Sequence, residues 1–415
     1  MSNIAISLSP NIQRDDVLLA VKLLFSINKW FDNELVTRLE KDFGRYIDRT
    51  QVLAVNSGRV ALYLILKSLG VKRGDEVIIQ AFTCTVVPNS IITLNATPVY
   101  VDIDNTFNIK VDDLKHKITK RTKAIIVQHT FGIPAQIEKI KKVADKYGIE
   151  VIEDCAHGLG LSIKKKMVGT LANYSFFSFG RDKSISSVFG GMIVCKKESD
   201  YLYIQRLRDT LPKAPLLWSL KQLVHPILFK TFVLPFYGVG LNNISLGKIF
   251  LYLMQEMKII TFPVDKSERK GVLPKELIFK YPPLLAGLAI KQLGKIGHYN
   301  THRKEIASFY EKSLSRNFIK PATNKDSIYL RYPVRHPQAK QIIKFLKKQN
   351  ILIGDWYKKP VEPADNLKLY KYEIGSCPTA ERYCKTILNL PTNISFTIRQ
   401  AEVLVETLNK WKSTT

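Results

Sequence analysis

Between residues 52 and 195, short apolar runs alternate with helical and turn-rich segments, and that alternation limits the folds open to the chain. QVLAV, DEVIIQ, TPVYVDI, KAIIVQHT, EVIEDC, YSFFSF and GGMIVCK each read as a short strand rich in apolar and β-branched residues. Strands of this kind, without strict polar alternation, are buried on both faces, as in a parallel sheet covered by helices. IEKIKKVADKYG supplies one such cover, with Ile137, Ile140, Val143 and Ala144 on a single helical face. RVALYLILKSL, stopped by Gly70, supplies another. The expected class is α/β, with a large, mostly parallel sheet and helices on both faces.

Elsewhere the pattern changes. Residues 14–47 read as helix, with apolar positions three and four apart in DDVLLAVKLLFSINKW and ELVTRLEKDFGRYI. Residues 205–280 break the regularity: LPKAPLLWSLKQLVHPILFKTFVLPFYGVGL and KIFLYLMQEMKII are apolar and aromatic but interrupted by Pro, Lys and Gly. Two amphipathic helices follow, PLLAGLAIKQLGKI and HRKEIASFYEKSL. SIYLRYPVRH, PQAKQIIKFLKKQN and ILIGDWY then read as strand, helix and strand of a smaller α/β domain, closed by the helix RQAEVLVETLNKWK. The expected division is a large domain over 1–204, an apolar insertion over 205–280, and connecting helices with a small domain over 281–415.

The net charge of +27 suits acidic partners: nucleic acid, phosphorylated small molecules or an anionic membrane surface. The lysines are spread out, and there is no RNP-like pattern, zinc-finger spacing or basic heptad region, so no specific nucleic-acid or metal site is expected. The five cysteines are scattered and without CxxC, which argues against a disulfide framework. MSNIAISLSPNIQRDD lacks a leader-like apolar core, and no window holds 18 uncharged apolar residues. The expected compartment is the cytoplasm.

Three local features carry chemistry. At Asn56-Ser57-Gly58 a strand breaks into a helix, so free backbone N–H groups meet a positive helix end. That is an anion site, with Arg59 beside it, although Ser57 or Asn56 can equally serve as an ordinary N-cap. At VIEDCAH a strand delivers Glu153-Asp154 to its C-terminal end, where α/β sheets keep their ligands. A carboxylate there pairs with a cationic ring nitrogen, or it caps the next turn. His157 neighbours a ligand there, or serves only structure. In SFFSFGRDKSISSVFGG, Lys183 sits in a turn between two strands, with Ser178 five residues earlier and Gly190-Gly191 after it. Alone it reads as a surface lysine. Held in a desolvated pocket it becomes an imine-forming amine. In combination, a phosphate anchor, a ring-pairing acid and such a lysine are what pyridoxal phosphate requires.

These motifs resemble the DegT/DnrJ/EryC1/StrS family of sugar aminotransferases. The resemblance runs through NSGRVALYLIL, GDEVIIQAFTCT, ATPVYVDID, TKAIIVQHTFGIPA, EVIEDCAHGLG and SFFSFGRDKSISSVFGG. It resumes at LAIKQLGKI, HRKEIASFYEKSL and CPTAERYCKTILNLPTN. It implies a fold-type I aminotransferase with a smaller C-terminal domain and pyridoxal 5'-phosphate as cofactor. The substrates implied are a keto-sugar, nucleotide-linked, and an amino-acid donor, glutamate; the product is an amino-sugar for cell-surface polysaccharide. It further implies a homodimer. Lys183 would bind the cofactor as an imine and shuttle the proton. Asp154 would pair with the ring nitrogen, His157 would sit near the ring 3-hydroxyl, and Ser57, Gly58 and Ser178 would hold the phosphate. Phe82 or Cys84 occupies the place of the ring-stacking aromatic.

Departures from the family accompany the resemblance. Arg59 stands where Thr is usual, which would exchange a hydroxyl contact to phosphate for a charge contact. Gly180 stands where His is frequent, and KYPPLLAGL offers no counterpart for the phosphate-site Asn of the partner subunit. A branch of the family replaces the lysine by His and dehydrates the sugar; Lys183 argues against it. A non-catalytic, basic binding protein on the same fold is the further alternative, against which Lys183 and Asp154 both speak. The stretch 205–280 is longer and more apolar than the family implies. It would form a dimer interface or extra core, or a peripheral membrane contact through 210–262 at the inner face of the membrane.

Overall fold

The computed structural model describes residues 4–411 apart from 7, 238, 242, 243 and 323; the first three residues of the N-terminal stretch and positions 238, 242 and 243 of the apolar insertion therefore lie outside it. Two helices lead in, α1 (Arg14–Phe25) and α2 (Glu34–Ile47). The strand β1 (Val52–Val55) then feeds α3 (Gly58–Ser68), followed by β2 (Glu76–Gln80), α4 (Val86–Ile92), β3 (Thr97–Val101), β4 (Thr122–Gln128), α5 (Ile137–Tyr147), β5 (Glu150–Asp154), β6 (Tyr174–Ser178) and β7 (Gly191–Cys195). All seven expected runs are strands of one sheet, in the order β1-β7-β6-β5-β4-β2-β3. β7 runs antiparallel to β1 and β6, and the other pairings are parallel.

The sheet is buried on both faces, as its unbroken apolar runs require. Along β1, Leu53 and Val55 pack with α3, while Val52 and Ala54 join Leu39 and Phe43 of α2 and Phe177 of β6 on the other face. Helix α5 buries Ile137, Ile140, Val143 and Ala144, the four positions its periodicity picks out.

The insertion is more ordered than its composition suggests. Helix α6 (Glu198–Asp209) is followed by α7 (Leu216–Leu228), which lies against α1 and continues through a π-helical stretch at Phe229–Val233, and then by α8 (Leu246–Glu256). Phe229, Val233 and Ile260 form a small core with Ile12. Among the described residues, no helix is long and apolar enough to cross a membrane.

Helices α9 (Pro283–Leu293) and α10 (Ile296–Ser313) lead to β8 (Tyr332–Arg335), α11 (Ala339–Lys348), α12 (Pro378–Thr386), β9 (Ile387–Leu390) and α13 (Ile398–Asn409). The expected strand at ILIGDWY is shorter than its sequence suggests. Only Ile351–Leu352 is strand, and it pairs with Ile4–Ala5. The reason lies at Gly354. It exchanges two 2.9 Å backbone hydrogen bonds with Asn389 of β9, and the Trp356 ring sits where its Cβ would be, so the chain bends away. The partner of β8 is β9, antiparallel.

Candidate active site

The C-terminal ends of β5 and β6 and the start of α3 open into one cavity of about 300 Å³. Ser57, Gly58, Arg59, Cys84, Asp154, His157, Ser178 and Lys183 all line it. Phe82 does not. Its φ of +66° turns the side chain into the core, fully buried among Phe107, Phe131 and Tyr357. Of the two stacking positions the sequence offered, only Cys84 reaches the cavity.

The acid pair at the end of β5 divides by strand alternation. Glu153 points away from the cavity, and its carboxylate accepts from the amides of Gly169 (2.9 Å), Leu171 (2.7 Å) and Ala172 (2.8 Å). Asp154 faces the cavity, with Oδ1 accepting the Ala156 N–H at 3.0 Å. Burial pushes the Asp154 carboxyl up, opposed by that hydrogen bond and by the charge of Lys183.

His157 stacks on Phe131, centroids 6.0 Å apart at 11°. Its Nδ1 accepts the Phe131 N–H at 3.2 Å, so a neutral ring carries its proton on Nε2. Nε2 lies 3.0 Å from Lys183 Nζ. Burial and the nearby cations Lys183 and Arg331 push the His157 pKa well below the ordinary histidine value, which keeps the ring neutral.

The turn that carries Lys183 is held from both sides. Asn11 Nδ2 donates to the Lys183 carbonyl at 2.5 Å, and Arg303 Nη2 donates to the Ser184 carbonyl at 2.9 Å and to Asn11 Oδ1 at 3.2 Å. Asp182 takes an ion pair from Arg331 at 2.9 Å. Burial alone would raise the Asp182 carboxyl, but Lys183 and Arg331 together hold it far below the usual carboxylate range.

At the start of α3, Ser57 Oγ accepts the Val60 N–H at 3.3 Å, so the N-cap role is real. The amides of Gly58 and Arg59 have no intrahelical acceptor, which leaves donors at the cavity wall. Gly58 brings the helix against Ser178, whose Cβ would lie 3.1 Å from an added methyl. Gly191 answers to the same crowding: a Cβ there would fall 2.7 Å from the Phe177 carbonyl and 2.9 Å from the Gly58 nitrogen. Gly191 thus lets backbone pass backbone, while a Cβ on Gly190 would meet the Ser187 and Tyr281 hydroxyls at 2.8 and 2.9 Å. A Cβ on Gly180 would meet only ordinary contacts, at 3.5 Å or more.

Arg59 differs from its expected role. Its guanidinium pairs with the fully buried Glu268 and donates to the Pro263 carbonyl at 2.9 Å, so its charge is already committed to the protein. Arg331, Trp356, Tyr357 and Glu362 also line the cavity, as do Arg181 and Arg269. Sequence reasoning missed them because they arrive from segments far along the chain or, for Arg181, because nothing in GRDK says which residue points inward. Arg181 Nη2 donates to Thr261 Oγ1 at 2.5 Å, and burial lowers its pKa to about 9.

The chain matches the model of the DegT/DnrJ/EryC1/StrS aminotransferase family over residues 12–210 and 279–409. A GDP-perosamine synthase of Vibrio cholerae is 36% identical over 164 residues, which is 39% of this chain and 45% of that protein. The matched stretch thus spans less than half the length of this curated relative. NtdA of Bacillus subtilis, solved with bound cofactor PMP, has a TM-score of 0.73 at 21% identity, over 98% of this chain and 85% of that one. PseC of Helicobacter pylori, an aminotransferase in the biosynthesis of pseudoaminic acid, has a TM-score of 0.73 at 20% identity over 99% of both chains. These likenesses show a shared fold over almost the whole chain.

Proposed function

Because the chain belongs to the DegT/DnrJ/EryC1/StrS aminotransferase family, we propose that it is a pyridoxal-phosphate-dependent aminotransferase. Its substrates in this reading are a nucleotide-linked keto-sugar and glutamate, and its product is an amino-sugar for cell-surface polysaccharide. The observation that carries the reading is the convergence of Asp154, His157, Lys183 and the Ser57–Gly58 helix start on one cavity.

The donor set fits the cofactor. Ser57, Ser178 and the first amides of α3 bind a phosphate, and the helix end favours its charge. Asp154 offers a buried carboxylate to a protonated ring nitrogen, whose charge would lower a pKa that burial has raised. Lys183 Nζ, held 3.0 Å from His157 Nε2, would take the aldehyde as an imine. The cofactor supplies an electron sink for the bonding pair of the donor's α-carbon. Lys183 would serve as the base that takes the proton from that carbon and, in the reverse direction, as the acid that protonates the sugar carbon. Phe189, Val188 and Trp356 wall the cavity against water.

Borohydride treatment of protein incubated with pyridoxal phosphate tests the first half. The cofactor should become fixed to the peptide that holds Lys183; no fixation at that peptide sinks the reading. A panel of nucleotide-linked keto-sugars with glutamate tests the second half by glutamate-dependent appearance of an amino-sugar.

The assembly and location belong to the same proposal. The chain pairs as a homodimer in the cytoplasm and touches the inner membrane face through 210–262. In that stretch Phe232, Phe236, Tyr252 and Leu253 are exposed, and residues 211–262 hold five lysines against one glutamate. Flotation on anionic vesicles supports the membrane contact. Failure to float, with a sedimenting dimer that dissociates on Tyr252→Ser, assigns the face to the partner copy instead.

A further inference from the structure

The cavity has a wall that the family match leaves out. Pro263, Val264 and Arg269 line it, and all three fall within residues 211–278, outside the matched ranges. The turn that carries them is firmly built. Asp265 Oδ1 accepts from the Ser267 amide at 2.8 Å, and Glu268 Oε2 accepts from the Asp265 amide at 2.8 Å. The Glu268 carbonyl takes hydrogen bonds from Tyr370 Oη and, at 2.9 Å, from Asn89 Nδ2. The Arg269 carbonyl takes one from the Asp365 amide at 3.0 Å.

Four arginines face this cavity, and three are engaged. Arg59 pairs with Glu268, Arg331 pairs with Asp182, and Arg181 is bonded twice to Thr261. Arg269 is the exception. Among the described residues no ion pair or hydrogen bond engages its guanidinium, and its buried Nε, like that of Arg181, has no hydrogen-bond partner. A guanidinium is a planar fork of five donors matched to carboxylate and phosphate oxygens. A buried donor without an acceptor is destabilising unless a ligand supplies one.

We infer that Arg269 is the oxyanion-recognition residue of the substrate site, taking a carboxylate or phosphate group of a substrate on its free edge. The inference rests on the aminotransferase reading above, and it adds a residue that lies in this chain's own insertion. The oxyanion has two sources in that reading: the diphosphate of the nucleotide-linked sugar and a carboxylate of the amino-acid donor. The test uses cofactor-loaded protein with Arg269→Gln and Arg269→Lys, titrated with GDP alone and with glutamate alone, beside steady-state KM and kcat for each substrate. Arg269→Gln should weaken one of the two ligands by roughly tenfold or more, about 1.4 kcal/mol, with KM changed more than kcat. Arg269→Lys should recover part of the loss, since the charge remains without the fork. Selective loss of GDP binding assigns the sugar diphosphate; selective loss of glutamate binding assigns the donor carboxylate. Unchanged binding of both, or loss of cofactor fixation at Lys183 in the variants alone, overturns the inference. Failure of fixation in the unaltered protein would instead overturn the aminotransferase reading, so the two failures are distinguishable.

Discussion

The ends of β5 and β6 and the turn at 263–269 both build the cavity, but they do so by different means. Asp154 and Ser178 stand on strands whose register is set by neighbours on both sides, and their direction follows from strand alternation. Arg269 stands on a short turn held by hydrogen bonds from Asn89, Tyr370 and Asp365, three separate parts of the chain. The first region lies inside the family match and the second outside it. The sheet supplies cavity residues from inside the family match, and the inserted turn supplies them from outside it. Arg59 and Glu268 join the two regions: the arginine is on the matched helix and its acid is on the inserted turn.

Changes on the two sides should differ in kind. The largest effect is expected at Lys183. Lys183→Ala should abolish turnover, by a factor of roughly 10³ or more, and should remove borohydride fixation of the cofactor while leaving the fold intact by circular dichroism. Glu268→Ala comes next. It leaves Arg59 buried without its acid and should lower stability by about 3 kcal/mol in urea denaturation. A loss below about 1 kcal/mol would mean that the inserted turn is only laid against the matched helix.

A pH effect follows in size. His157 and His225 are both buried with pKa values pushed well below the ordinary histidine value. Each therefore binds its proton more readily unfolded than folded. Their stability contribution is fully present above about pH 6.5 and is lost as pH falls below it, by at most about 1.4 kcal/mol per pH unit for each. His157→Gln should flatten part of that slope in denaturant midpoints measured from pH 7 downward; an unchanged slope would exclude His157 as a contributor. The smallest effect belongs to Gly180→Ala. The added methyl meets only Ser178 Oγ and Lys183 Cγ at van der Waals distance, so the stability change should stay within about 0.5 kcal/mol. A larger change would show that the lysine turn needs a glycine there.

Much of the sheet side was legible because its signals are local. Seven apolar runs became seven strands, and Asp154, Ser178 and Lys183 converged because strand ends in such sheets face one crevice. Between Phe82 and Cys84 a strict alignment with the family gives Cys84, and the backbone turn at Phe82, which buries that ring, leaves Cys84 as the one at the cavity. Arg59 looked like a phosphate ligand because its acid is 209 residues away. Arg331, Trp356 and Arg269 had no signature, because their place depends on how distant segments pack. The strand expected at ILIGDWY ended early for a similar reason, the close approach of Trp356 to Gly354.

The clamp on the lysine turn has a consequence for how the molecule is made. Asn11 leaves the ribosome early, the Lys183 turn follows, and Arg303, which ties the two together, emerges only after most of the chain. The Lys183 amine therefore cannot reach its finished setting while the nascent chain is short. At least 303 of the 415 residues must be made before this clamp on Lys183 can close, so the site is finished late in translation.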